Sequence, residues 1–99
     1  DGQRFMCLDG APLFKFNEAI SLMVDCETQA ELDDIWNKLS AVPEAEQCGW
    51  LKDKFGLSWQ IVPRALPEVL NNPDKEKAGR ALQAMMKMKK IDIEALRKA

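Results

Sequence analysis

The chain contains no histidine, and that absence removes the commonest general base and the commonest metal ligand together. No Ser-His or Cys-His dyad can be assembled from its own residues, so nucleophilic catalysis of that kind is excluded within the chain. A glycine-rich phosphate loop is also missing. The glycines at 2, 10, 49, 56 and 79 match neither Gly-x-Gly-x-x-Gly nor P-loop spacing, which leaves nucleotide and S-adenosylmethionine sites of that design without a basis. Cys7, Cys26 and Cys48 form no Cys-x-x-Cys pair. A disulfide framework and a zinc knuckle are therefore not indicated, and the expectation is three reduced thiols buried as small hydrophobes. There is no excess of positive charge: 14 Lys and Arg stand against 16 Asp and Glu, a net charge of -2. That balance lacks the basic footprint of a nucleic-acid binder. No apolar run approaches the roughly 20 residues that span a bilayer, and Asp1-Gly2-Gln3-Arg4 has none of the features of a signal peptide. The expectation is a cytoplasmic protein with neither nucleic acid nor membrane as partner.

With 99 residues the chain has the length of one small domain with a modest core. It opens without an initiating Met, and two readings stay open: a piece of a longer protein, or a chain whose partner surface comes from another copy. The residues rich in strand character come in pieces. Residues 4–8 read as a strand, followed by turn chemistry in Asp9-Gly10-Ala11-Pro12. A second strand is expected over residues 18–24, with Ile20, Leu22 and Val24 on one face and Ala19, Ser21 and Met23 on the other. The stretch from Cys48 to Pro63 packs two strand-like runs around a connection at residues 53–56 that carries charge and Gly, and it reads as a β-hairpin. Side chains alternate along a strand, so Gln60 falls on the face opposite Trp59 and Ile61, in company with Ser58 and Val62. Pro63 has no N–H and ends the sheet.

Helices account for the rest. Thr28 followed by Glu31 is a capping box, and Leu32, Ile35, Trp36 and Leu39 form an apolar stripe at i, i+3, i+4 and i+7. Asp33 and Asp34 fall on its solvated side. Asn72 reads as a cap with Pro73 at the first helical position, leading into a stripe of Ala78, Ala81, Leu82 and Met85. A last short helix begins after Asp92 with Ile93 and Leu96 inward. Met85, Met86 and Met88 among Lys87, Lys89 and Lys90 read as core and interface packing with solvated lysines between them. Neither an internal repeat nor a low-complexity tract is present.

The segments Phe16-Asn17-Glu18-Ala19-Ile20-Ser21, Val24-Asp25-Cys26-Glu27-Thr28, the run from Gln47 to Gly56, Trp59-Gln60-Ile61-Val62-Pro63 and the tail Met86-Lys87-Met88-Lys89-Lys90-Ile91-Asp92-Ile93 together resemble the PhnB-like branch of the glyoxalase and bleomycin-resistance (vicinal oxygen chelate) superfamily. That branch carries the label 3-demethylubiquinone-9 3-methyltransferase. The resemblance implies an α+β fold built on a βαβββ module, two of which form a cup in a complete domain. On that basis residues 1–99 are one glyoxalase-like domain that lacks most of its first module. Residues 1–10 hold the last strand of that module, 14–63 the βαβββ-type module, and 64–99 a helical extension. The positions that carry metal ligands in metal-dependent relatives fall, by the resemblance, at Ala19 and Gln60. Ala cannot ligate and a neutral Gln ligates weakly, so no metal and no cofactor are expected.

The site is expected on the sheet face that mixes small, polar and apolar groups, with Gln60, Ser21, Ser58 and Met23 as candidate ligand contacts. Trp50, free by parity to line either side, is a candidate wall. Trp36 and Trp59 belong to the core between sheet and helix. The leading reading is a metal-independent protein that binds a small organic molecule and works as a homodimer, its uncovered sheet face and edges calling for a partner. The alternatives are an enzyme, either the methyltransferase of the label or a metal-dependent lyase or dioxygenase, and a structural dimerisation module.

Overall fold

The computed structural model describes residues 2–8 and 14–99, so the turn expected at Asp9-Gly10-Ala11-Pro12 lies outside the described residues. The chain runs through strand β1 (Ser21–Cys26), helix α1 (Gln29–Leu39), a 3-10 turn (Pro43–Ala45), strands β2 (Trp50–Lys52) and β3 (Ser58–Pro63), and helices α2 (Ala65–Leu70), α3 (Lys75–Met86) and α4 (Ile93–Lys98). The three strands are ordered β1-β3-β2. β1 runs parallel to β3 with Ser21 opposite Ser58 and Met23 opposite Gln60, and β2 runs antiparallel to β3 with Trp50 opposite Gln60. The parallel pair needs a crossover, which α1 and β2 provide. This is an α+β domain. Where a βαβββ module would place one more strand, the chain forms the 3-10 turn and a single bridge between Gln47 and Trp50; Pro43 at its start withholds a ladder N–H.

Local chemistry sets each boundary. β1 begins three residues later than the sequence pattern places it, because the Asn17 side chain accepts the N–H of Ala19 at 2.9 Å and folds residues 18–20 into a turn. Ala19 and Ile20 consequently fall outside the ladder, and Ile20, expected to pack under a helix, is 72% exposed. At α1, Thr28 Oγ1 accepts the Glu31 N–H at 3.1 Å as expected. The cap of α3 is Asp74, which accepts from Glu76 and Lys77, while Asn72 sits two residues upstream and accepts the N–H of Asp74. The helix thus starts later than Asn72 and Pro73 suggest, since Asp74 satisfies two first-turn donors where Asn72 would satisfy fewer. Asp92 caps α4 through the Ala95 N–H.

The strand expected at residues 4–8 is not formed. A strand is held by its neighbour, and residues 4–8 have no ladder partner among the described residues; they are exposed, with Met6 at 94% and Leu8 at 90%. Cys7 is exposed with them and Cys48 is half-buried, so of the three thiols expected inside, Cys26 alone is fully buried. Burial pushes the Cys26 thiol pKa up, and the charges of Glu31 and Asp25 push it further.

The core lies on the α1 side of the sheet, where Cys26, Leu32, Trp36, Leu51, Ile61, Ile91 and Leu96 meet. The C-terminal extension is stitched into it. Cys48 and Gly49 form a turn in which both take positive φ (53° and 87°) while Gln47 and Trp50 exchange backbone bonds, the geometry favoured for tight hairpins. Cys48 and Gly49 donate their N–H groups to the carbonyls of Met88 and Lys89, both at 2.8 Å. Gln29 of α1 completes the attachment, donating to the Ile91 carbonyl at 3.0 Å and accepting from Ile93 N–H at 2.9 Å.

Candidate functional site on the open face of the sheet

Strand parity divides the sheet into two chemically different faces. Val24, Cys26, Leu51, Trp59 and Ile61 turn toward α1 and its core. Their neighbours in sequence turn the other way: Ser21 and Met23 from β1, Trp50 and Lys52 from β2, Ser58 and Gln60 from β3. The five candidate residues read from the sequence therefore share one face, and the β2–β3 register settles the side taken by Trp50. Gln60 is the centre of this face, with Met23 opposite on one strand and Trp50 opposite on the other. Its Nε2 donates to Ser21 Oγ at 2.8 Å, which leaves its carbonyl oxygen without a protein donor among the described residues. Met23 is 61% exposed. Beside Trp50 a shallow concavity of about 400 Å³ is lined by Glu18, Ala45, Gln47, Cys48 and Trp50.

Ser58 differs from the rest of the face. It is 1% exposed, and its Oγ is buried without a hydrogen-bond partner. A buried hydroxyl left unpaired costs about 1–3 kcal/mol. Its ladder neighbours are Ser21 on one side and Lys52 on the other. Lys52 in turn forms an ion pair with Glu18, whose carboxyl is held below its ordinary pKa, first by the hydrogen bond from Lys52. Sequence reading passed over both residues. Parity was the available signal for Lys52, which stands two positions from Trp50 on a strand; nothing local marked Glu18, which precedes β1 and reaches the face only through the fold.

The other polar side chains near the hairpin are structural. Asp53, 9% exposed, accepts from Phe55 N–H at 2.9 Å, Leu57 N–H at 3.0 Å and the Trp59 indole at 2.9 Å, and so fixes both the hairpin loop and a core tryptophan. Glu46 does the same for Trp36, accepting its indole N–H at 3.1 Å. Asp33 is paired with Lys90 at 2.9 Å. Ala19, at the position where the resemblance puts a metal ligand, lies before β1, and Gln60 gives its amide N–H to Ser21. Among the described residues no three His, Cys, Asp or Glu side chains converge as a metal site requires.

Residues 1–62 match the model of the family described as 3-demethylubiquinone-9 3-methyltransferase. The match spans the open face with β1, α1, β2 and all but the last residue of β3. No curated protein matches the chain. The chain belongs to this family, which lies in the glyoxalase and bleomycin-resistance superfamily.

Proposed function

We propose that this glyoxalase-like domain binds a small organic molecule on the open face of its sheet, without a metal. The observation that carries this reading is the Gln60–Ser21 pair between Met23 and Trp50: a few oriented polar groups set among apolar ones are what hold and orient a small ligand. Gln60 supplies its unused carbonyl as acceptor, Trp50 a flat wall, and Met23 a side chain that adapts to ligand shape. Among the described residues no convergent set of imidazoles and carboxylates, through which metal-dependent chemistry would proceed, lies on this face.

The methyltransferase description of the family requires a methyl donor. The glycines of this chain offer no loop of the kind that binds S-adenosylmethionine, so simple binding is the preferred reading. We also place the protein in the cytoplasm as a homodimer of βαβββ-type modules in which the 4–8 segment finds its ladder partner. The domain division at residues 10, 14 and 63 follows from the same proposal.

The test is a ligand-observed NMR screen of small organic molecules against wild type and Gln60→Leu. Hits on wild type should weaken on Gln60→Leu while stability stays within about 1 kcal/mol, since this Gln is outside the helix-side core. Undiminished binding by Gln60→Leu would refute the placement.

A further inference from the structure

Within the strands that make the open face, Lys52 is the single cation: β1 contributes Ser21, Met23 and Asp25, β3 contributes Ser58, Gln60 and Val62, and β2 contributes Trp50 and Lys52. It stands directly across the ladder from Ser58, and cross-strand neighbours have Cβ atoms about 5 Å apart. Ser58 is fully buried with an idle hydroxyl. The Lys52 side chain is 26% exposed, whereas that of Glu18, its ion-pair partner, is 64% exposed, and Glu18 belongs to no strand or helix.

We propose, building on the binding site described above, that Lys52, Ser58 and Ser21 form the anion-recognition end of that site, that its ligand carries a carboxylate, and that the Glu18 carboxylate occupies this end in the free protein and gives way to it. The chemistry is an exchange of one carboxylate for another. Lys52 keeps an anionic partner throughout, so no buried charge is left uncompensated. The Ser58 hydroxyl, covered in the free protein, is reached only as Glu18 and the Lys52 side chain shift aside, and it then donates to the incoming oxygen and acquires the bond it lacks. The exposed half of the Glu18–Lys52 pair is weakly held because solvent screens it, and this makes displacement feasible. Beyond the carboxylate, the ligand body extends along the face toward Gln60 and Trp50, whose rings and amide suit an aromatic or unsaturated acid. The shallow hollow that Glu18 and Trp50 line together gives the displaced carboxylate and the ligand a common space.

The test uses benzoate and its neutral isostere benzamide as probes, titrated into the full chain and followed by amide and indole chemical shifts in wild type, Glu18→Gln, Lys52→Met and Lys52→Arg. Benzoate should bind wild type more tightly than benzamide, and Glu18→Gln should tighten benzoate about fivefold to tenfold while leaving benzamide unchanged. Lys52→Met should abolish the preference for benzoate, and Lys52→Arg, which keeps the charge, should retain it and thereby separate loss of recognition from loss of fold. Equal binding of the two probes at Trp50 and Gln60, or a benzoate affinity indifferent to Glu18→Gln, would overturn the anion proposal and leave the binding face standing. If neither probe moves any open-face resonance in any of the four proteins, both the anion end and the site beneath it are refuted.

Discussion

The two faces of the three-stranded sheet are built from alternate residues of the same strands and do opposite things. On the α1 side both tryptophan indoles are bonded: Trp59 donates to Asp53 and Trp36 donates to Glu46. On the open side Ser58 Oγ has no partner, Gln60 uses only its donor end, and Met23 projects into solvent. Full satisfaction marks a face optimised for stability. Partial satisfaction on the other face is what the proposed ligand would complete.

If the division is real, substitutions on the α1 side should be costly in stability, and those on the open side should matter for binding. Trp36→Ala, at a position 6% exposed, should destabilise by about 3–5 kcal/mol through cavity formation and the loss of the Glu46 bond, read as a shift in urea midpoint at unchanged slope. Gly49→Ala should cost about 2–3 kcal/mol. Its φ of 87° disfavours an L side chain, and the new Cβ would lie 2.8 Å from Ile91 Cδ1 within the packed core. Thermal unfolding of the variant would show whether the turn that docks the C-terminal extension is as constrained as its geometry implies. Gln60→Leu should change stability by no more than about 1 kcal/mol in the same assay, and an effect as large as that of Trp36→Ala would erase the contrast between the faces.

Two smaller effects probe the edges of the comparison. Gln29, and then Lys90, hold the Asp33 carboxyl below its ordinary pKa. A depressed carboxylate stabilises the fold above the unfolded value, about 3.9, and that contribution is lost as pH falls through the lower folded value. Asp33→Asn should therefore lower stability at pH 6 by less than about 1 kcal/mol, given that both partners are more than a third exposed. The gap to wild type should close in strong acid. With a thiol reagent at pH 8, Cys7 should react fastest, Cys48 more slowly, and Cys26 only on unfolding, because burial both shields that thiol and raises its pKa.

Much of this contrast was legible in the sequence. The alternation Trp59, Gln60, Ile61 fixes which face each residue joins once one of them is known to be core, and the Thr28 capping box with its Leu32, Ile35, Trp36 and Leu39 stripe identifies the helix that makes that core. Side-chain periodicity is local, so it survives without knowledge of the fold. The elements that were displaced are those decided by other means: the start of β1 by the Asn17 turn, the start of α3 by Asp74 capping more donors than Asn72, and the 4–8 segment by the need for a ladder partner. The Glu18–Lys52 pair, on which the proposed anion end rests, is a contact between residues 34 positions apart, and no short pattern encodes it. Gln29 holding the Ile91–Ile93 turn is hidden for the same reason.

The three tryptophans allow the claim of two faces to be tested in a single spectrum. Trp50 stands on the open face, while Trp36 and Trp59 stand on the α1 side with their indole N–H groups already bonded. When a molecule that binds the protein is titrated into labelled chain, the Trp50 indole resonance should move with the backbone amides of Ser21, Met23 and Gln60, while the indoles of Trp36 and Trp59 stay in place. Movement of Trp36 and Trp59 with a stationary Trp50, or shifts confined to the hollow between α2 and α4 lined by Glu68, Val69, Asn72 and Leu96, would contradict it.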